Sequence, residues 1–150
     1  MINNDNVWKM LDAYYHSYPQ DQRGAVDDKT LNALENILKV KFDTLYKKYI
    51  SKYGGGFINA QPFYGVVGHN QMGDNLNNVS NVTKFYKEFQ GWPGIEDWYI
   101  VSDDGFGNPI GIDPEGKVWL SDHDSGFEKV KLADSFEEFL YKVLTETLYE

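Results

Sequence analysis

The chain has no cysteine. Disulfides, thiolate nucleophiles and cysteine-based metal sites are therefore excluded, and a cytoplasmic location is the expectation. No apolar run approaches the length of a membrane span. Met1-Ile2-Asn3-Asn4-Asp5 lacks a basic stretch followed by an apolar one, so no signal peptide is expected there. Positive charge is scarce: 14 Lys and Arg stand against 23 Asp and Glu, a net charge of −9. Nucleic acid and anionic membranes need a basic face, so neither is expected as a direct ligand. The same excess suits a basic protein partner, although solubility alone is the commoner reason for it. Internal repeats and low-complexity tracts are also missing.

What is present is enough for one domain with a sizeable core: 150 residues, 41% of them hydrophobic and 25% charged. The organising stretch is residues 96–132. It reads as four short strands, 98–102, 109–112, 117–121 and 128–132, separated by Asp104-Gly105, Asp113-Pro114-Glu115-Gly116 and Asp122-His123-Asp124-Ser125-Gly126. Connections this short force antiparallel neighbours, because a parallel return needs a crossover of about a dozen residues. Ile110 with Ile112, Val118 with Leu120, and Val130 with Leu132 each share a face by period 2. Trp98-Tyr99-Ile100-Val101 is apolar on both faces and reads as the central strand, covered on both sides.

Helices flank this meander. Asn4 or Asp5 caps a first one through about Ser17, with Val7, Met10, Leu11 and Tyr14 on one face. Residues 18–24 read as a polar linker. Asp27 or Asp28 starts a second helix striped by Leu31, Leu34, Ile37 and Leu38. Asp43 caps a third, with Leu45, Tyr46, Tyr49, Ile50 and Tyr53 inward, and Gly54 takes the left-handed C′ position. Gly54-Gly55-Gly56 reads as a loose turn in preference to a close backbone approach. Residues 57–58 and 63–67 are strand candidates, and 69–78 is a loop. Ser80 or Asn81 opens a short helix carrying Val82, Phe85, Tyr86 and Phe89. Ser135-Phe136-Glu137-Glu138 is a capping box before a helix whose apolar face is Phe136, Phe139, Leu140, Val143, Leu144 and Leu148. The expected fold is α+β: one domain over 1–150, with a β-meander-containing antiparallel sheet packed by N-terminal helices and a C-terminal helix.

The order of these pieces resembles the SUKH superfamily, the Smi/Knr-like proteins. The residues that carry the likeness are Lys52-Tyr53-Gly54-Gly55-Gly56, Trp98-Tyr99-Ile100-Val101, Asp104-Gly105-Phe106-Gly107-Asn108, Gly116-Lys117-Val118-Trp119, Asp122-His123-Asp124 and residues 132–140. The likeness covers roughly 27–144 and leaves out the first helix and linker, 1–26. It implies an α+β fold without catalytic residues. It also implies a bacterial immunity protein that binds and neutralises a cognate polymorphic toxin, often a nuclease. Other members are regulatory adaptors.

The most site-like cluster is Asp122, His123 and Asp124, with Asp103 and Asp104. No metal is expected there, because the spacing fits neither a calcium loop nor a zinc site. Asp and His also suit such turns for local hydrogen bonding. His16 and His69 stand alone and read as surface or loop residues. No nucleophile elbow, dinucleotide fingerprint or phosphate loop occurs, so no cofactor and no catalytic residue is expected. The chain carries 11 Tyr, 9 Phe and 4 Trp, most of them destined for the core. Trp92, in a turn beside Pro93, is the one expected to be partly exposed as a binding anchor; plugging one end of the core is its other reading.

Alternate turns of a meander fall at the same end of the sheet. Asp103, Asp104, Asp122 and Asp124 should therefore share one end, with Asp113 and Glu115 at the other. The expected function is a non-catalytic, cytoplasmic immunity protein, monomeric or weakly dimeric. It would bind a basic toxin domain, a nuclease, through that acidic end and Trp92. The alternatives are a regulatory adaptor on the same fold and, further off, a metal-dependent hydrolase using the Asp122–Asp124 turn.

Overall fold

Asp27, Asp43 and Ser135 each accept a hydrogen bond from a backbone N–H two or three residues on and so start three of the helices. The structure, a computed structural model, describes residues 4–66 and 78–150. Its elements are α1 (Asn4–Ser17), α2 (Asp28–Leu38), α3 (Thr44–Tyr53), β1 (Gly56–Ile58), β2 (Gln61–Phe63), α4 (Val79–Lys84), β3 (Tyr99–Asp103), β4 (Pro109–Ile112), β5 (Val118–Asp122), β6 (Glu128–Ala133) and α5 (Phe136–Leu144). This is the expected α+β single domain. Val67, His69 and most of the loop expected at 69–78 lie outside the described residues.

Local signals place most boundaries. Gly54 ends α3 with φ 72°. At α5, Ser135 Oγ accepts from Glu138 N at 3.1 Å, and the Glu138 carboxylate accepts from Asp134 N at 3.2 Å, one residue beyond the usual capping-box partner. α4 starts earlier than expected because Asn78, not Ser80 or Asn81, is its cap. Its last turn widens into a π-helical turn over Phe85–Phe89.

Two helix faces differ from their sequence stripes. α1 buries Val7, Trp8, Leu11 and Tyr15, leaving Met10 and Tyr14 half-buried. The rotation follows from two long-range bonds: the Trp8 indole donates to Glu137, and the Tyr15 and Tyr49 hydroxyls share a 2.8 Å bond. Ile37 is 53% exposed, because α2 packs through Leu31, Leu34 and Leu38 at the margin of the core.

The three glycines are not a loose turn. Gly54, Gly55 and Gly56 are buried. A Cβ on Gly54 would stand 2.2 Å from the Gly24 carbonyl oxygen, and one on Gly56 would stand 1.9 Å from that of Asp21. The linker expected at 18–24 is therefore pinned here, with Arg23 N and Gly24 N both donating to Tyr53 O at 2.9 Å. Backbone passes against backbone, which only glycine permits.

The meander runs in the order β3-β4-β5-β6, all antiparallel. β3 is covered on both faces as expected, but it stands at an edge of this sheet, not its centre. The β1–β2 hairpin and α4 fill that edge: Tyr64 N donates to Val101 O at 2.8 Å, and Ile100 N to Thr83 Oγ1 at 2.8 Å. One face of the sheet, with Tyr99, Val101, Ile110, Ile112 and Val118, packs on α1, α3 and α5. The other, with Trp98 and Ile100, packs on Val82, Tyr86 and Ile95. Val130 does not join Leu132 in the core; it is 44% exposed. A register shift at Val118/Trp119 separates the buried end of β6, Leu132 and Ala133, from four exposed residues before it.

Candidate partner-binding site

Two turns meet at one end of the meander. In the β3–β4 turn, Asp103 Oδ1 accepts from Gly105 N at 2.8 Å, and Asp103 also accepts from the Tyr64 hydroxyl. Asp104 Oδ1 accepts from Phe106 N at 2.8 Å and Asn108 N at 3.1 Å. In the β5–β6 turn, Asp122 accepts from Asp124 N at 2.9 Å and Ser125 Oγ at 3.2 Å. Short polar side chains thus take over backbone donors that a tight turn leaves unpaired.

Asn108 clamps the two turns together. Its buried amide donates to Asp104 Oδ2 at 2.7 Å, and its Oδ1 accepts from His123 N at 3.0 Å and from the His123 ring. Asp103, Asp104, Asp122 and Asp124 consequently lie on joined turns, and Asp113 and Glu115 lie on the β4–β5 turn at the opposite end. The four carboxylates are not equivalent. Asp103, Asp104 and Asp122 are half-buried and hold turns, whereas Asp124 is exposed and pairs with His123 Nε2 at 3.2 Å.

Trp92 is half-buried beside these turns. Its indole N–H donates to Ser121 Oγ at 2.8 Å, and its ring meets Tyr86 and Phe127 edge-on. Trp92 thus presents some surface, and its polar edge is committed to the fold. The aromatic rings that protrude are others. Phe106 is 81% exposed and Phe127 39%. The sequence held a signal for them: Gly105-Phe106-Gly107 and Ser125-Gly126-Phe127 each place a ring in a polar turn, out of reach of the core.

Asp122, His123 and Asp124 could each offer a ligand atom to a cation, the atoms lying within 4.8 Å of one another. Each already serves the turn or its neighbour, so binding would compete with existing hydrogen bonds. Tyr149 is 59% exposed, but partial burial pushes its hydroxyl up to about 12, with Asp104 and Asp103 adding to the shift.

The chain is a single α+β domain that carries a pair of clamped acidic turns at one end of its meander. The sequence matches the family model described as SMI1-KNR4 cell-wall, SUKH_5, over residues 5–145. The chain belongs to this SUKH family, and the match takes in most of α1. A search of curated proteins gives no match. The family is associated with immunity proteins, and its domains are generally non-catalytic. Among the described residues, no helix is long and apolar enough to cross a membrane.

Proposed function

We propose that this protein is a cytoplasmic immunity protein that neutralises a cognate toxin, a basic nuclease domain, by covering its active site or substrate groove. The observation that carries this reading is the Asn108 clamp, which fixes two acidic turns side by side on a chain of net charge −9. An inhibitor needs a complementary surface and no chemistry of its own. Fixed carboxylates steer a basic domain to fast association and then occupy the site where its nucleic acid would lie. The proposal has the protein act as a monomer or weak homodimer.

The test is co-expression with the product of the adjacent gene, followed by association kinetics against ionic strength. The expected result is relief of toxicity and an association rate that falls steeply with salt. The best charge-removing variant is Asp124→Asn with Glu128→Gln, since both residues are exposed and neither holds a turn closed. It should slow association several-fold, up to about tenfold, at low salt and little at high salt. A harmless neighbour, or one that does not associate, defeats the immunity reading. Association without salt dependence defeats only the acidic-end mechanism.

A further inference from the structure

Six rings run in continuous contact along one margin of the molecule. Phe89 stacks on Phe85 at 5.5 Å, Phe85 meets Tyr86 at 5.4 Å, and Tyr86 meets Trp92 at 5.3 Å. Trp92 then meets Phe127 at 5.1 Å and His123 at 5.9 Å. The Tyr86 hydroxyl donates to Gly107 O at 3.3 Å, which sets the Phe106 turn beside this row. The row surfaces at Phe89 and Phe127, and Phe106 stands next to it; Phe89 and Phe106 are each 81% exposed.

Core packing does not account for these three rings. Phe106 and Phe89 bury almost nothing. Phe127 has φ 64°, a left-handed backbone that is strained for a bulky residue and that Gly or Asn would adopt more easily. An aromatic ring held at a strained position on a binding face points to a contact made with something else.

Each protruding ring has a carboxylate close in sequence: Glu88 by Phe89, Asp104 by Phe106, and Asp124 by Phe127. Lys84 borders the Phe85–Phe89 end, so the excess negative charge lies at Phe106 and Phe127. A second copy docked symmetrically would bring these acids face to face, which argues against self-association here. Rings interleaved with carboxylates fit arginine, whose planar guanidinium stacks on a ring while its N–H groups pair with a carboxylate. We infer that this aromatic strip is the buried centre of the partner interface, and that the partner protein covers it with arginines set over Phe106 and Phe127 and against Asp104 and Asp124. This rests on the reading that a basic protein partner docks at the acidic end, and it adds which residues hold the complex once formed.

The experiment has two arms. In the first, Phe106→Ser and Phe127→Asn are made separately and their folding is checked by unfolding midpoint. Dissociation from the adjacent-gene product should quicken by about tenfold or more in each, with association changed by less than about twofold. In the second, the protein alone is titrated with an arginine-rich peptide and with a lysine peptide of equal length and charge, followed by amide and indole NMR shifts. The arginine peptide should shift Gly105, Phe106, Gly107, Phe127 and the Trp92 indole more than the lysine peptide does. If the toxin binds but both Phe variants dissociate like the parent, the strip is not the centre and the immunity reading stands. If the neighbour does not bind, the immunity reading falls and the peptide arm decides the strip alone. Equal responses to the two peptides, or shifts elsewhere on the surface, overturn the inference.

Discussion

Tyr49 and Tyr53 lie one turn apart on α3, both buried, yet their hydroxyls face different circumstances. Tyr49 shares its 2.8 Å bond with Tyr15, whereas the Tyr53 hydroxyl has no partner among the described residues. A buried hydroxyl without a partner costs more than the net gain of a satisfied one. Tyr49→Phe should therefore strand Tyr15 and cost about 1–2 kcal/mol, while Tyr53→Phe should be neutral or stabilise by up to about 1 kcal/mol. Urea unfolding of the two variants checks this, and equal losses would refute it. At this scale helical spacing told which tyrosines of α3 turn inward, whereas on α1 it pointed to Tyr14 and the structure buries Tyr15. Which of them find partners depends on α1 and was not legible. Trp92 shows the same division: its turn marked it as surface, but only packing shows its indole N–H bonded to Ser121.

Among the elements, the meander and α5 were legible because both rest on local rules, period 2 between turn residues and a capping box before a period-3.6 face. Edges were not. β3 reads as a central strand because it is apolar on both faces, and the structure gives the same burial to an edge strand by covering it with a hairpin and α4. The tip of that hairpin is tied down in turn, with Asn59 Nδ2 donating to Val143 O at the end of α5 at 3.0 Å. The glycine crossing is the joint between these parts. Gly56→Ala must push a methyl group into the Asp21 carbonyl and should cost on the order of 4 kcal/mol or prevent folding. Gly91→Ala, at φ 60° with nothing near its Cβ, should cost only about 1 kcal/mol from its left-handed backbone. Thermal unfolding of both separates a close crossing from a mere conformational preference; similar losses would favour the loose turn.

For the whole molecule, the aromatic core gives stability a definite alkaline limit. Burial pushes the hydroxyls of Tyr15, Tyr46, Tyr49 and Tyr99 well up, and Tyr86 up to about 12. In the unfolded chain each would titrate near 10.0. Below that pH both states hold their protons and stability is complete. Above it the unfolded chain releases protons that the folded chain keeps, so stability falls as pH rises, by about 1.4 kcal/mol per unit for each such group. Tyrosinate absorbance should therefore rise for the exposed tyrosines first and for the buried ones in one step with loss of the far-ultraviolet helix signal. Smooth titration of every tyrosine with the helix signal intact would contradict this core. The acid excess acts at the same scale: it shapes encounter with a partner, whereas the strip acts on how long the complex lasts.

Legible in the sequence were the α+β class, the helix starts at Asp27 or Asp28, Asp43 and Ser135, the meander with its turns, and the sorting of acidic turns between two ends. These follow from neighbours a few residues apart, where backbone sterics, capping and periodicity act. Tertiary structure alone decided that Asn108 joins the two acidic turns, that three glycines mark a crossing, that β3 is an edge, and that Phe89, Phe106 and Phe127 surface along one row. Each depends on residues far apart in the chain meeting in space, and contact between distant segments leaves no periodic trace in either one.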